Sequence, residues 1–401
     1  MTDEKVKKKR RRPTAAYDFG FLLTLIIILA CGSIMVFSAS APWATMMNGS
    51  PYHYIIRQLL WILIGSVGMT ITYHIPYYTY EKFSKIILII CLGLLVAVLI
   101  PGIGRVVKGS RRWIGINESI GIQASEIAKI GLILFFATSL QKDGDKIRKF
   151  KVLLKYLAII GVVDLLLLRE PHYSAMLLIT CVLCIMLFAA GANLKHFVLL
   201  GCLALPALVF LAFKESYRLD RLVSFLDPFK YMLDEGWQAV QSLFAIGSGG
   251  LFGLGPGMSR QKFFYIPEAH NDFIFAIWCE EMGFFGAAFL IALYIILIWR
   301  GFKIAANARD KMGCLLVTGM ISLIALQVIV NIGVVTASLP VTGMQLPFFS
   351  YGGSSLTILL TSMGIVLNVS KYQKVIGADK IENSDSRRRD SGPHQSRALH
   401  R

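Results

Sequence analysis

The stretch that decides the fold runs from Tyr265 to Trp299: YIPEAHNDFIFAIWCEEMGFFGAAFLIALYIILIW. Its second half is apolar enough to cross a bilayer. Its first half carries Glu268, Asp272, Glu280 and Glu281, with His270 among them. An ionised carboxylate near mid-bilayer costs about 2.5–3.5 kcal/mol on insertion scales, so these groups need protein or water around them. The rest of the chain is as apolar. Of 401 residues, 55% are hydrophobic and 16% charged, whereas a soluble domain carries about 25% charged residues. Apolar runs near 20 residues recur, which predicts an all-α polytopic membrane protein.

Ten transmembrane helices are expected, at 18–38, 56–75, 84–101, 124–140, 152–169, 173–191, 195–213, 272–299, 314–336 and 353–370. A long extracytoplasmic loop, 214–271, separates helices 7 and 8. A basic tail (1–16) precedes the membrane domain (17–370), and a second basic tail (371–401) follows it. The first run has a basic leader and Ser38-Ala39-Ser40-Ala41 after it, like a signal peptide. Its apolar core is longer than such a segment needs, which favours a retained helix. An even number of spans puts both tails on one side together with the basic loops 141–151 and 300–313. By the positive-inside rule that side is the cytoplasm, and the membrane is the cytoplasmic one. The net charge of +17 follows from these tails and loops. No aromatic-plus-basic fold accompanies them, so no nucleic-acid partner is expected.

Two outer loops run against the charge rule. Residues 102–123 contain Arg105, Lys108, Arg111 and Arg112 against the single Glu118. Either lipid head groups or an anionic ligand such as a phosphate or diphosphate would account for them. The loop 214–271 contains GSGGLFGLGPG (247–257). No Lys-Ser/Thr follows it and no strand precedes it, so tight bends against the bundle fit better than a phosphate-binding loop. Glu126 and Lys129 lie three apart on one helix face, as a structural pair or as a polarised pair lining a cavity; the second is favoured. Asp272 is expected in the first turn of its helix, where the dipole favours a carboxylate. Glu280 falls about 12 Å deeper on a similar face, and Glu281 roughly 180° round, towards another helix. The segment 338–355, with Pro340, Gly343, Pro347, Gly352 and Gly353, cannot be one continuous helix; it is an interfacial turn or a cavity wall. The seven cysteines sit in or beside apolar runs and read as small apolar filler.

Taken together, GSRRWIG (109–115), IQASEIAK (122–129), RLVSFLDPF (221–229), QSLFAIGSGGLFGLGPGMSRQKFFYIPEAHNDFIFAI (241–277) and LPVTGMQLPFFSYGGSS (339–355) resemble the SEDS family of shape, elongation, division and sporulation proteins. The form of 241–270 is closest to the FtsW/SpoVE division–sporulation branch. The resemblance implies a peptidoglycan glycosyltransferase that polymerises lipid II on the outer face of the cytoplasmic membrane during division or sporulation. Its partners would be a class B penicillin-binding protein, other division proteins and membrane lipid. The alternatives are a lipid II flippase and a non-catalytic scaffold of the division complex.

By the same resemblance Asp272 is the essential carboxylate, the base of an inverting transfer, while Glu126, Lys129 and Glu280 shape the cavity. Lys108, Arg111 and Arg112 are candidates for the diphosphates. Trp113, Gln123, Ser242, Gly249, Gly250, Glu268, His270, Ser350 and Gly352 complete the expected substrate-binding set. A divalent cation (Mg or Mn) would assist at the diphosphates, and the sequence assigns it no ligands. The chain departs from the family pattern at Ala124, at Asn271, at Cys279 and at Glu170-Pro171-His172-Tyr173-Ser174, where a carboxylate is missing at His172. These departures leave Asp272 untouched and bring into question a catalytic role for 171–174.

Overall fold

The computed structural model describes residues 16–107, 110–117, 120–196, 224–234 and 236–373. It is mostly helical. Its helices are α1 (Phe19–Asn48), α2 (His53–His74), α3 (Tyr80–Leu99), α4 (Ala124–Asp143), α5 (Phe150–Arg169), α6 (Tyr173–Ala189), α7 (Trp237–Gly249), α8 (Ile274–Asn307), α9 (Lys311–Val335) and α10 (Gly353–Ser370). Each expected span except the seventh coincides with one of these helices. The seventh (195–213, beyond its first two residues) lies outside the described residues, as do Lys108, Glu118, Cys202 and the tails before 16 and after 373. The protein is a multi-pass membrane protein. Ile64, Ile89, Leu165 and Ile295 expose half or more of their surface on the helices, which a bilayer accepts and water does not.

Helices α4, α9 and α10 form the buried centre. Small residues let backbones approach: a Cβ at Gly364 of α10 would stand 2.1 Å from Met69 O of α2, and Gly65 and Gly68 meet Leu360 and Thr361. Thr72 Oγ1 crosses the same contact to donate to Thr361 O (2.7 Å). One end of the bundle is closed by polar ties. Asp18 caps α1 by accepting from Phe21 N, pairs with Arg300 of α8 at 2.8 Å and donates its N–H to Ser370 Oγ of α10. Tyr77 donates to Asp310 Oδ2 at 2.6 Å, and Lys311 donates to Ala190 O. The two described ends of the chain therefore share a face.

The other face departs from the expected pattern in three ways. The basic loop after α3 is an antiparallel sheet of β1 (Gly104–Val107), β2 (Ser110–Asn117) and β3 (Ile120–Gln123), in the order β1-β2-β3. Trp113 pairs with both Arg105 and Gln123. The long loop contains α7, whose Ser242 Oγ donates to Val335 O at 2.6 Å. Thirdly, α8 is broken at Gly283, which has φ 65° and ψ −165°. The glycine-rich segment fills the break: Leu254 N donates to Glu280 O, Gly255 N to Glu281 O, Phe284 N to Gly250 O and Phe285 N to Leu251 O, at 2.9–3.2 Å. These bends bear out the expectation for GSGGLFGLGPG. They also correct the continuous span 272–299, because no local hydropathy reports a left-handed glycine.

Gly283 has no room for a side chain: a Cβ there would stand 2.3 Å from Gly253 N and 2.6 Å from Leu251 O. Gly283→Ala should destabilise the fold by about 3 kcal/mol, combining strain at positive φ with overpacking. A lowered thermal unfolding midpoint in detergent reads this out; an unchanged midpoint would mean that the break is not structural.

Candidate active site

The first half of α8, Ile274 to Glu281, is buried on every side. Asp272 lies two residues before this helix and is half-buried. It thus stands just outside the first turn rather than within it. The backbone around it is held across the bundle: Asn331 of α9, 1% exposed, donates from Nδ2 to Asp272 O and to Met344 O, each at 2.7 Å. A Cβ added to Gly343 would lie 3.7 Å from Asp272 Oδ2. The expected irregular segment 338–355 therefore forms a wall beside the carboxylate. Its other side is tied to the start of α6 by Ser174 Oγ donating to Thr342 O (2.8 Å).

Beyond that wall stands a basic group. In β2, Arg111 and Arg112 alternate across the strand and diverge. Arg111 reaches back to Leu99 O at 3.3 Å and closes the end of α3. Arg112 reaches the α5–α6 turn, donating to Glu170 O (3.3 Å) and Pro171 O. Lys129 and Glu126 on α4 form a buried ion pair at 2.7 Å. Among the described residues no three His, Cys, Asp or Glu side chains converge where a divalent cation could be held.

The structure separates Glu280 from Asp272. Glu280 is 1% exposed. Its carboxylate accepts from Ser248 Oγ, from Arg260 N (3.1 Å), from Gln261 N (3.3 Å) and, in a short bond, from Ser259 Oγ. It anchors the glycine-rich segment, and this corrects its expected place in a cavity with Asp272. Glu281 meets another helix as expected, accepting from Ser38 Oγ of α1 at 2.6 Å. It also takes Gly257 N and Lys262 Nζ, the last at 2.9 Å. Lys262 completes its three donors with Ser38 Oγ and Gly257 O. This Lys262–Glu281 pair was not read from the sequence. Nothing in the polar run Ser259-Arg260-Gln261-Lys262 marked that lysine out from its neighbours.

Several residues of the expected binding set also take part in packing and in backbone bonding. Ser242 is fully buried in its bond to Val335, and a Cβ on Gly249 would strike Cys279 O at 2.1 Å. Gly250 lends its carbonyl to the helix break. Ser350 is 3% exposed and accepts Leu346 N, while Gln58 of α2 takes Gly352 N and reaches Ser350 O. Glu268 accepts from Asn271 Nδ2 within its own turn. His270 is buried between Tyr54 and Tyr351, with ring centroids at 4.5 and 5.7 Å, and its carbonyl accepts Tyr351 N. Trp113 and Gln123 pair in the sheet above Arg112.

The FtsW/RodA/SpoVE family, described as cell cycle protein, matches residues 19–375, and the chain belongs to it. It is 44% identical over 360 residues to stage V sporulation protein E of Bacillus subtilis (strain 168), covering 89% of this chain and 98% of that one. It is 40% identical over 360 residues to a probable peptidoglycan glycosyltransferase FtsW of Geobacter sp. (strain M18), covering 90% and 98%. A solved chain described under structural coordination of polymerization and crosslinking by a peptidoglycan synthase complex superposes with a TM-score of 0.76. That chain is 29% identical, and the match covers 90% of this chain and all of that one.

Removing one partner of a buried ion pair leaves the other charge uncompensated, at a cost of about 3–5 kcal/mol. Lys262→Met should show that loss in thermal unfolding and open the 257–262 segment to protease. Adding Glu281→Gln should recover part of it. Equal stability of the single and double variants would contradict a paired role.

Proposed function

We propose that this chain is a peptidoglycan glycosyltransferase polymerising lipid II at the outer face of the cytoplasmic membrane, with both tails in the cytoplasm and a class B penicillin-binding protein as partner. Membership of the family, with relatives named for this activity, supports the reaction. The likeness to a chain from a peptidoglycan synthase complex supports the partner. The observation that carries the site assignment is the placement of Asp272. It is a half-buried carboxylate before a fully enclosed half-helix, one loop wall away from Arg112 and Lys129.

Transfer of a glycosyl group from a polyprenyl diphosphate needs a base at the acceptor hydroxyl and positive charge at the departing diphosphate. Asp272 takes the proton of the acceptor's hydroxyl as that oxygen attacks the anomeric carbon. The bond to the diphosphate breaks on the opposite side, which inverts the centre. Arg112 and Lys129 face the charge that develops on the leaving group. Asn331, by fixing the backbone of Asp272 and Met344 together, holds the carboxylate beside its wall.

A flippase would need ionisable groups along the whole transport path, whereas the groups given to substrate here, Asp272, Arg112 and Lys129, stand before α8, in β2 and in the first turns of α4. A scaffold would not need Asp272. Purified protein given lipid II on one known face, with and without its penicillin-binding partner, separates these readings. Asp272→Asn should lose polymer formation entirely while keeping its unfolding midpoint and its partner. Undiminished polymer from this variant would remove Asp272 from the chemistry.

A further inference from the structure

The turn between α5 and α6, outside the spans, collects groups to which the proposed reaction gives no task. Glu170 is fully buried, and neither carboxylate oxygen has a hydrogen-bond partner among the described residues. His172 Nδ1 and Ser125 Oγ, the latter in the first turn of α4, are buried and equally unpartnered there. Two cations stand around them. Arg112 grips the turn through Glu170 O and Pro171 O, and Lys129, 4% exposed, is held by Glu126. Burial, then the charges of Arg112 and Lys129, keep the His172 imidazole neutral, its pKa down at about 3. Burial pushes Glu170 up to about 7 against the pull of Arg112. The charged groups acting on His172 are Arg112 from β2 and Lys129 from α4, the latter paired with Glu126, and Glu170 lies two residues before it in the same turn. The segment 338–345, tied in through Ser174 and Thr342, contains no titratable side chain. Helix α6 begins here with His172 as its cap residue, so its N-terminus adds positive potential.

We infer that this cluster of groups binds the phosphate groups of a diphosphate ester, and that binding draws a proton from solvent onto the His172–Glu170 pair. The ester is the leaving group of the transfer proposed above, and to that extent the inference rests on that reading. A dianion between Arg112 and Lys129 cancels the field that holds the imidazole neutral. The same negative charge makes the Glu170 carboxylate harder to ionise. Both changes favour proton uptake, and the protonated groups then donate N–H or O–H to phosphate oxygens. The diphosphate leaves into donors that its own binding has charged. The sign follows from linkage: each group's pKa is higher with the anion bound, so affinity rises as pH falls from 8 to 6, by up to about tenfold per pH unit for each proton coupled.

Calorimetric titration of the full chain in phosphatidylcholine nanodiscs tests this, with inorganic diphosphate and undecaprenyl diphosphate as separate probes. It is run at pH 6, 7 and 8 in two buffers of different ionisation enthalpy. Both probes should bind with uptake of about one proton, and Arg112→Gln should weaken them at least tenfold. The double variant His172→Asn, Glu170→Gln should still bind but lose the pH slope. Should Arg112→Gln fail to fold, Glu170→Gln alone, nearly isosteric, should lower the proton count. Binding that ignores pH and buffer overturns the inference. So does binding of the inorganic ion without the lipid, or displacement of both probes by phosphatidylglycerol, which would assign the cluster to a phosphodiester headgroup. Polymer formed from lipid II without proton-coupled binding defeats this inference alone. Proton-coupled binding in a protein that makes no polymer defeats the glycosyltransferase reading alone.

Discussion

The half of the molecule that holds Asp272 depends on one constraint: backbone groups in an apolar surrounding must find partners within the protein. Helix α8 breaks at Gly283, and the break frees carbonyls and N–H groups that lipid could not satisfy. Residues 250–255 supply the missing partners, carbonyl for N–H and N–H for carbonyl. Such an exchange needs two backbones in contact, which is why Gly249, Gly253 and Gly283 face one another or the α8 carbonyls with no space for a Cβ. The broken helix and the glycine-rich segment are one unit. The first half of α8 is thereby enclosed by protein, and Asp272 is fixed at its mouth.

That enclosure sorts the charges by environment. Glu280 and Glu281 are as buried as any core residue, and backbone N–H groups, serines and Lys262 offset their desolvation. A buried pair of this kind adds little net stability, but its geometry is strict, since either charge left alone is costly. Glu126 and Lys129 solve the same problem within one helix turn. Asp272 differs from all four. It is half-buried, and its backbone is held by Asn331 of α9.

The positions of the described spans and their apolar lengths were legible in the sequence. So were the bends of the glycine-rich segment and the turn of Glu281 towards another helix. The sheet 104–123 was not, because strands as short as β1 and β3 leave no periodicity to read. Nor was α7, whose apolar face reads like any short amphipathic run within a loop. The place of Glu280 was mistaken for a different reason. Ideal helix geometry set it on the face of Asp272, but a helical projection does not say which loop packs against that face.

Hydropathy is a local property, additive over about twenty residues, so the sequence by itself determined the membrane class, the run of helices and the shared face of the two chain ends. Tertiary structure decided which partners each charge meets. A carboxylate's state depends on the partners brought to it, and those are distant in the chain. Ser38, which bonds Glu281, lies 243 positions away, and Arg112, which grips the turn at Glu170, lies 58 positions away. Only the packed fold brings such groups within the few ångströms over which a hydrogen bond or an ion pair acts.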